Sequence, residues 1–313
     1  MLKNPKFSYK VLGMTIKSEN MEIPELLEVE DQPHSLSVDI IENSALIPPK
    51  LPENFTENFY LKKANNMLWL TVKDAGYFQF NNGKSIAWKR WQQDVSDQII
   101  RNCLLGVGLG ALSNQHGNLT LHGSALEKDG NAIVCMGHSG AGKSTTAYIL
   151  MMQGWKLLAD DLVAVSRRGR ILPCIPRIKL CKDALEETRV NPDKIKSFGS
   201  SEKYVISKKF ISHALQPAPL KAIYILDCRN QDDTVGTITR VKSQQEMLLY
   251  LRQYVFWRYL VNVMELKARN FTDSVKLLKQ TPMYILSPPN GINETQKWLL
   301  TQNLLKPEQS LDQ

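Results

Sequence analysis

The sequence predicts an α/β fold, a mixed sheet with helices preceded by an antiparallel β region. Three observations carry that expectation. The first 91 residues hold short strand-like runs: FSYKVLGMTI, HSLSVDII, NFYLKKANNMLWLTV and AGYFQFNNGKSIAWK. Further on, a strand-like run ending at Met136 leads through a glycine-rich loop into a helix-forming stretch and another strand-like run. After that, helical and strand-like patterns alternate almost to the end of the chain, as layered α/β folds do.

In chain order, Glu22 to Asp31 is an acidic, solvated strap, and LIPPKLPENF is proline-rich and extended. Asn82-Gly83 marks a hairpin. From Gln92 to Asn114 the spacing of Val95, Ile99, Cys103, Val107 and Ala111 predicts one helical face, widened by Leu104, Leu105 and Leu112. The GVGLG inside that run follows no strand and lacks dinucleotide-loop spacing, so it reads as close helix packing. Leu119 to Leu126 and Ala132 to Met136 are strand-like, with Asp129-Gly130 turning between them.

Lys143 to Gln153 suits a helix, and Gly154 its C-terminal cap. Trp155 to Ala159 and Leu162 to Val165 are strand-like, broken by Asp160-Asp161. Lys179 to Lys209, with eight basic side chains, is either a mobile lid or an ordinary surface excursion. Lys221 to Leu226 and Met283 to Leu286 return to strand character, and Gln244 to Asn270 reads as one long amphipathic helix. The expected division is a β-rich region over 1–91, a second domain over 92–306 and a disordered tail over 307–313.

With 313 residues the chain can bury a full core, in one large domain or two modest ones. Hydrophobic residues at 43% and charged residues at 22% are the balance of a soluble globular protein. The net charge of +8 is spread along the chain without a zinc-finger or RNP-like pattern. It favours anionic ligands such as phosphates or acidic peptides over nucleic acid. Cys103, Cys135, Cys174, Cys181 and Cys228 form no CxxC pair, which suggests reduced thiols rather than a zinc site or a disulfide framework. The start, MLKNPKFSYK, lacks a signal-peptide core, and no apolar run is long enough to span a membrane. The expectation is a cytoplasmic protein.

Chemistry concentrates in the centre. Gly137-His138-Ser139-Gly140-Ala141-Gly142-Lys143-Ser144, followed by Thr145, satisfies G-x-x-x-x-G-K-[ST] in full. Glycines let backbone N–H groups turn inward as an anion nest, and the helix that starts there adds its dipole. Lys143 would reach the β- and γ-phosphates of ATP, and the Ser144 hydroxyl would ligate Mg²⁺. Asp160-Asp161 follows 17 residues after Lys143. Adjacent carboxylates at a strand end are costly unless a cation compensates, which a magnesium nucleotide supplies. One carboxylate can hold the metal while the other takes the acceptor's proton. His122, on a strand before the loop, and Arg177, after Pro176, are candidates for neutralising the transferring phosphoryl.

The segments LTLHGSAL, IVCMGHSGAGKSTTAYIL, GWKLLADDLVAV and ILPCIPRIKL together resemble the HPr serine kinase family. They are most similar to its branch in peptide-maturation clusters, which includes lasso-peptide precursor kinases. The resemblance is strong over 105–180 and looser through LPENFTENFYL and YFQFNNGKSIAW. It implies a P-loop fold akin to phosphoenolpyruvate carboxykinase, with ATP and Mg²⁺ as cofactors. It also implies that Asp160 is the catalytic carboxylate and Asp161 its metal-associated neighbour, with His122 near the phosphates and Arg177 in a P-R element. Where the HPr kinase/phosphorylase proper has a Glu-x-Arg-Gly type signature, this chain reads PRIKLCKDALEET. A dedicated serine kinase acting on a peptide or protein, such as a lasso-type precursor peptide, is therefore expected. The rivals are a kinase for free serine and a non-catalytic ATP-binding accessory protein. HPr kinases are hexamers, so a homo-oligomer is a further expectation by analogy.

Overall fold

The computed structural model describes residues 5–30, 36–53, 57–65, 67–182, 184–185, 193–195, 203–206, 208–227 and 235–307. The strand-like runs at the start form β1 (Phe7–Val11), β2 (Met14–Ser18), β3 (Leu27–Glu28), β4 (Ser37–Glu42), β5 (Phe59–Ala64), β6 (Met67–Val72), β7 (Gly76–Asn81) and β8 (Ser85–Arg90). They pair in one sheet of order β3-β1-β2-β4-β8-β7-β6-β5. Alternation decides which side is buried. Phe78 and Phe80 of β7 and Ile86 and Trp88 of β8 lie inside, while the residues between them are partly exposed. Asn82 and Gly83, in the three-residue loop 82–84, turn the hairpin with φ of 46° and 74°, both positive as a type I′ turn requires. The sheet is mixed rather than purely antiparallel, because β4 lies parallel to both β2 and β8. Residues 19–36, between β2 and β4, are long enough for the crossover that a parallel neighbour needs.

The helix expected over 92–114 is α1 (Asp97–Cys103), a π-helical turn over Leu104–Gly108, and α2 (Leu109–Gln115). The wide turn carries the buried stripe onto Ile100, Leu104 and Gly108, leaving Ile99 and Val107 only partly buried. A Cβ on Gly108 would sit in ordinary contact, 3.8 Å from Ile86 Cδ1, and one on Gly106 would meet nothing within 4 Å, so the close packing expected of GVGLG is not what these two glycines provide.

The chain divides into two compact units, Met1–Thr120 with Trp257–Phe271, and Leu121–Phe256 with Thr272–Gln313. The boundary expected at 91/92 falls inside the first. The second unit holds β9 (Leu119–Lys128), β10 (Asn131–Met136), β11 (Lys156–Val165), β12 (Arg170–Leu172), β13 (Ile178–Leu180), β14 (Asp193–Ile195), β15 (Lys203–Ile206), β16 (Ala218–Leu226), β17 (Thr237–Arg240) and β18 (Met283–Ser287). Its main sheet runs β10-β9-β11-β12-β16-β18-β17, and β16 also pairs with β10, so both edges of β16 are occupied. Strands β13, β15 and β14 form a small separate sheet in the basic excursion, part of which lies outside the described residues. Cys228 and residues 308–313 lie outside them too. α3 (Lys143–Met152) buries Ala147 and Leu150 against Ile133, Cys135 and Tyr224 in the core.

The long helix expected over 244–270 is instead α4 (Gln244–Gln253), α5 (Arg258–Val263) and α6 (Lys267–Leu278), with α7 (Ile292–Thr301) closing the chain. The break has a tertiary cause. The Tyr254 carbonyl accepts the His122 N–H at 2.7 Å, and Val255 bridges to Leu121 of β9. Trp257 then takes a left-handed φ of 48°. The Asp160-Asp161 pair does not break β11, which runs through it with Asp161 at φ 81°. Among the described residues no helix is long and apolar enough to cross a membrane.

Candidate functional site

β10 ends at Met136 and α3 starts at Lys143, so residues 137–142 join a buried strand directly to a helix N-terminus. Gly142 caps that helix at φ 80°, a left-handed conformation open to glycine without strain, and no side chain caps the first turn. A glycine at the cap brings no side chain of its own to that turn, and a helix start of this kind attracts an anion. Lys143 Nζ donates to the carbonyls of Gly137 (3.0 Å) and His138 (2.8 Å), which holds the ammonium over the loop. His138, Ser139 and Gly140 are exposed, whereas Ala141, Ser144 and Thr145 are partly buried. His138 Nε2 accepts from the Gln253 amide at 3.0 Å, and its ring meets Tyr254 edge-on at 5.7 Å. Here the loop opens onto a cleft of about 610 Å³.

Behind the loop lies Asp160, only 8% exposed. Its Oδ1 accepts from the hydroxyls of Ser124 (2.7 Å) and Ser144 (2.9 Å), and its Oδ2 from the Lys179 N–H (2.9 Å). Burial pushes the Asp160 carboxyl above its ordinary value, and the charge of Asp161 adds to this. The Ser124, Lys179 and Ser144 hydrogen bonds pull the other way. Asp161 faces different partners. Its Oδ2 receives Lys179 Nζ at 2.8 Å, and His122 Nδ1 lies 3.2 Å from its Oδ1 and 3.1 Å from its carbonyl oxygen. Burial again opposes ionisation, but His122 and Lys179 outweigh it and hold Asp161 well below the usual carboxylate range. The Asp161 side chain is 42% exposed, so it is the member of the pair that a second substrate can reach.

Successive side chains of a regular strand point to opposite faces. The positive φ of Asp161 breaks that rule at a cost of about 1–3 kcal/mol, and one lysine engages both carboxylates. Gly123, between His122 and Ser124, must lack a side chain, because a Cβ there would lie 2.5 Å from the Cys135 carbonyl oxygen.

Set against known proteins, the chain shows local similarity. It is 41% identical over 49 residues to the HPr kinase/phosphorylase of Thermoanaerobacter sp. (strain X514), 16% of either chain. It is 40% identical over 62 residues to that of Alkaliphilus metalliredigens (strain QYMF), 19% of this chain and 20% of the relative. Over that stretch the chain resembles HPr kinase/phosphorylase. The matched segments span between 14% and 20% of the relatives' own lengths. No family model matches. Among solved structures, the HPr(Ser) kinase/phosphatase from Coxiella burnetii superposes on 58% of this chain and 88% of its own, at 13% identity and a TM-score of 0.30.

The site brings together Lys143, Ser144, Asp160, Asp161 and His122. It does not pair them all as expected. The hydroxyl of Ser144 meets Asp160, not Asp161. Arg177 is partly buried two residues before Lys179, and among the described residues its guanidinium makes no hydrogen bond or ion pair with the loop or the aspartates. Sequence reasoning missed Ser124 and Lys179. Their signal was alternation: Ser124 follows His122 by two residues on β9, and Lys179 follows Arg177 by two at the start of β13.

Ser144 Oγ and Asp160 Oδ1 are hard oxygens 2.9 Å apart beside an uncapped helix start, a donor set that fits Mg²⁺ held jointly with phosphate oxygens. Among the described residues no three His, Cys, Asp or Glu side chains gather into a separate metal cluster.

Proposed function

We propose that this chain is a Mg²⁺-dependent phosphotransferase that moves the γ-phosphoryl group of ATP to a serine hydroxyl of a peptide or protein. One observation carries the reading. The hydroxyl that follows the loop lysine is hydrogen-bonded to a buried aspartate whose neighbour is an accessible carboxylate flanked by a lysine and a histidine. Bound Mg²⁺ would neutralise phosphate charge in transfer. In this chain Ser144 and Asp160 would hold it, and Lys143 with the loop amides would hold the β- and γ-phosphates.

The two aspartates then exchange the roles that the sequence suggested. Donors engage the oxygens of both aspartates, but Asp160 is buried, whereas the Asp161 side chain is 42% exposed and within reach of an incoming hydroxyl. Geometry ranks ahead of pKa in choosing a base. The acceptor oxygen bonds to the γ-phosphorus as the bond from phosphorus to the ADP oxygen breaks. Asp161 takes the acceptor's proton, and ADP carries away the leaving electron pair. His122 and Lys179 orient Asp161, and Arg177 stands near enough in sequence to swing toward the phosphoryl.

A peptide or protein acceptor is favoured because the curated relatives are named for a protein substrate, HPr. A precursor peptide of the lasso type is the narrower form suggested by the LLADD and PRIKL resemblance. The test is mass spectrometry after incubation with MgATP and one of three acceptors: HPr, the precursor peptide encoded beside this gene, or free serine. A phosphoryl gain on a peptide or protein serine, lost in Asp161→Asn while ATP still binds, is the expected result. Gain on free serine alone makes the chain a small-molecule kinase. ATP binding without transfer to any acceptor makes it an accessory protein.

A further inference from the structure

A second cleft, of about 810 Å³, opens away from the glycine loop. β10, β16 and β18 are mutually parallel, and the loop follows the C-terminal end of β10. The cleft is lined instead by Lys221, near the start of β16, and by Thr281 and Pro282, just before β18. It therefore lies at the opposite end of the same sheet. Its charge is one-sided. Lys221, Arg240, Lys242, Lys279 and Lys306 line it, all are exposed, and among the described residues no acidic side chain lines it. Among the described residues none of the four lysines, Lys221, Lys242, Lys279 and Lys306, forms an ion pair. Between the cations the wall is aliphatic, with Val241, Met247 and Leu278 each less than a tenth exposed.

We propose that this cleft docks an acidic peptide segment carrying aliphatic side chains. Five cations around a concave surface focus a positive potential that draws in carboxylates. The aliphatic floor then gives an anchor side chain a place to bury. Nucleic acid fits less well. Binding of single strands relies on exposed rings for base stacking, and among the described residues the one aromatic side chain lining the cleft, Tyr284, is 4% exposed and stacked on Tyr224 at 5.5 Å. Because the cleft and the loop lie at opposite ends of the sheet, peptide docking there does not compete with nucleotide. The proposal stands whether or not the chain transfers phosphate.

The test is fluorescence anisotropy on the full chain with three labelled probes. They are a short peptide of Asp, Glu and Leu, the same peptide with Asn and Gln replacing the acids, and an oligothymidylate of equal charge. The comparison protein carries Lys242→Glu with Lys279→Glu, two exposed changes whose folding is checked by circular dichroism. The acidic peptide should bind at low salt and weaken as salt rises. It should bind the double variant at least about tenfold more weakly, as loss of attractive charge predicts, and MgATP should leave its affinity unchanged. Equal binding by the neutral peptide, displacement of the acidic peptide by oligothymidylate, or an unaltered affinity in the double variant would each overturn the proposal. So would the absence of acidic-peptide binding at low salt.

Discussion

Lys179 touches both carboxylates through different atoms, its backbone N–H on Asp160 and its ammonium on Asp161. Removing only the ammonium separates the two contacts. Lys179→Met should leave ATP affinity within a few-fold, because the Asp160 hydrogen bond comes from the main chain. Turnover should fall about 10²-fold, the scale of losing one positioned charge near a developing phosphoryl. Lys179→Arg should recover part of that loss, which filter binding and steady-state assays would read.

Asp161 also sets a pH signature. Its folded pKa is depressed, so its contribution to stability is complete above the ordinary carboxylate value of about 4 and is lost as pH falls below it. In urea titrations, the stability gap between the wild-type chain and Asp161→Asn should be constant above about pH 5. Below about pH 4 it should shrink. The exposure of the side chain keeps that gap small.

At the scale of elements, the short β9 run of His122, Gly123 and Ser124 places two site residues on one face, with a bare backbone between them pressed against β10. Gly123→Ala puts a methyl group into the Cys135 carbonyl, a main-chain atom that cannot step aside. Overpacking of this kind costs about 1–3 kcal/mol, and the shift should disturb His122 and Ser124 together. A lowered urea midpoint with weakened transfer is expected, and an unchanged midpoint would show that β9 and β10 can part.

Elements were legible where the signal was local. The Asn82-Gly83 turn, the loop-to-helix junction at Lys143 and the strand through Ala132 to Met136 all follow from neighbouring residues. The break at Tyr254 does not, because residues 244–270 do carry a helical pattern. What stops the helix is an amide on His122, more than a hundred positions earlier. The site shows the same division. Lys143, Ser144 and the aspartate pair could be read from spacing. The choice of Asp160 rather than Asp161 as the partner of Ser144, and the left-handed turn of Asp161 inside a strand, are announced by no side-chain pattern.

For the molecule as a whole, stability in mild acid should be governed by His213. Burial pulls its pKa down to about 4 from 6.5, against a backbone hydrogen bond with Leu157, and its Nδ1 is buried without a hydrogen-bond partner among the described residues. Between those values the unfolded chain binds a proton that the folded chain refuses. Stability therefore falls as pH drops through that window, by about 3 kcal/mol in all. His213→Gln should flatten this slope between pH 7 and pH 5 in urea titrations, while an unchanged slope would place the acid sensitivity elsewhere.

β16 is hydrogen-bonded on both edges, to β12 and β10 on one side and β18 on the other. In deuterium exchange its central amides, from Ala222 to Ile225, should be among the last to label, since releasing them means opening the sheet on two sides at once. The glycine loop springs from β10, which is laced to that slowest strand. Its amides should label quickly in the free protein, and their slowing on addition of nucleotide would record occupancy of the loop rather than tightening of the sheet beneath it.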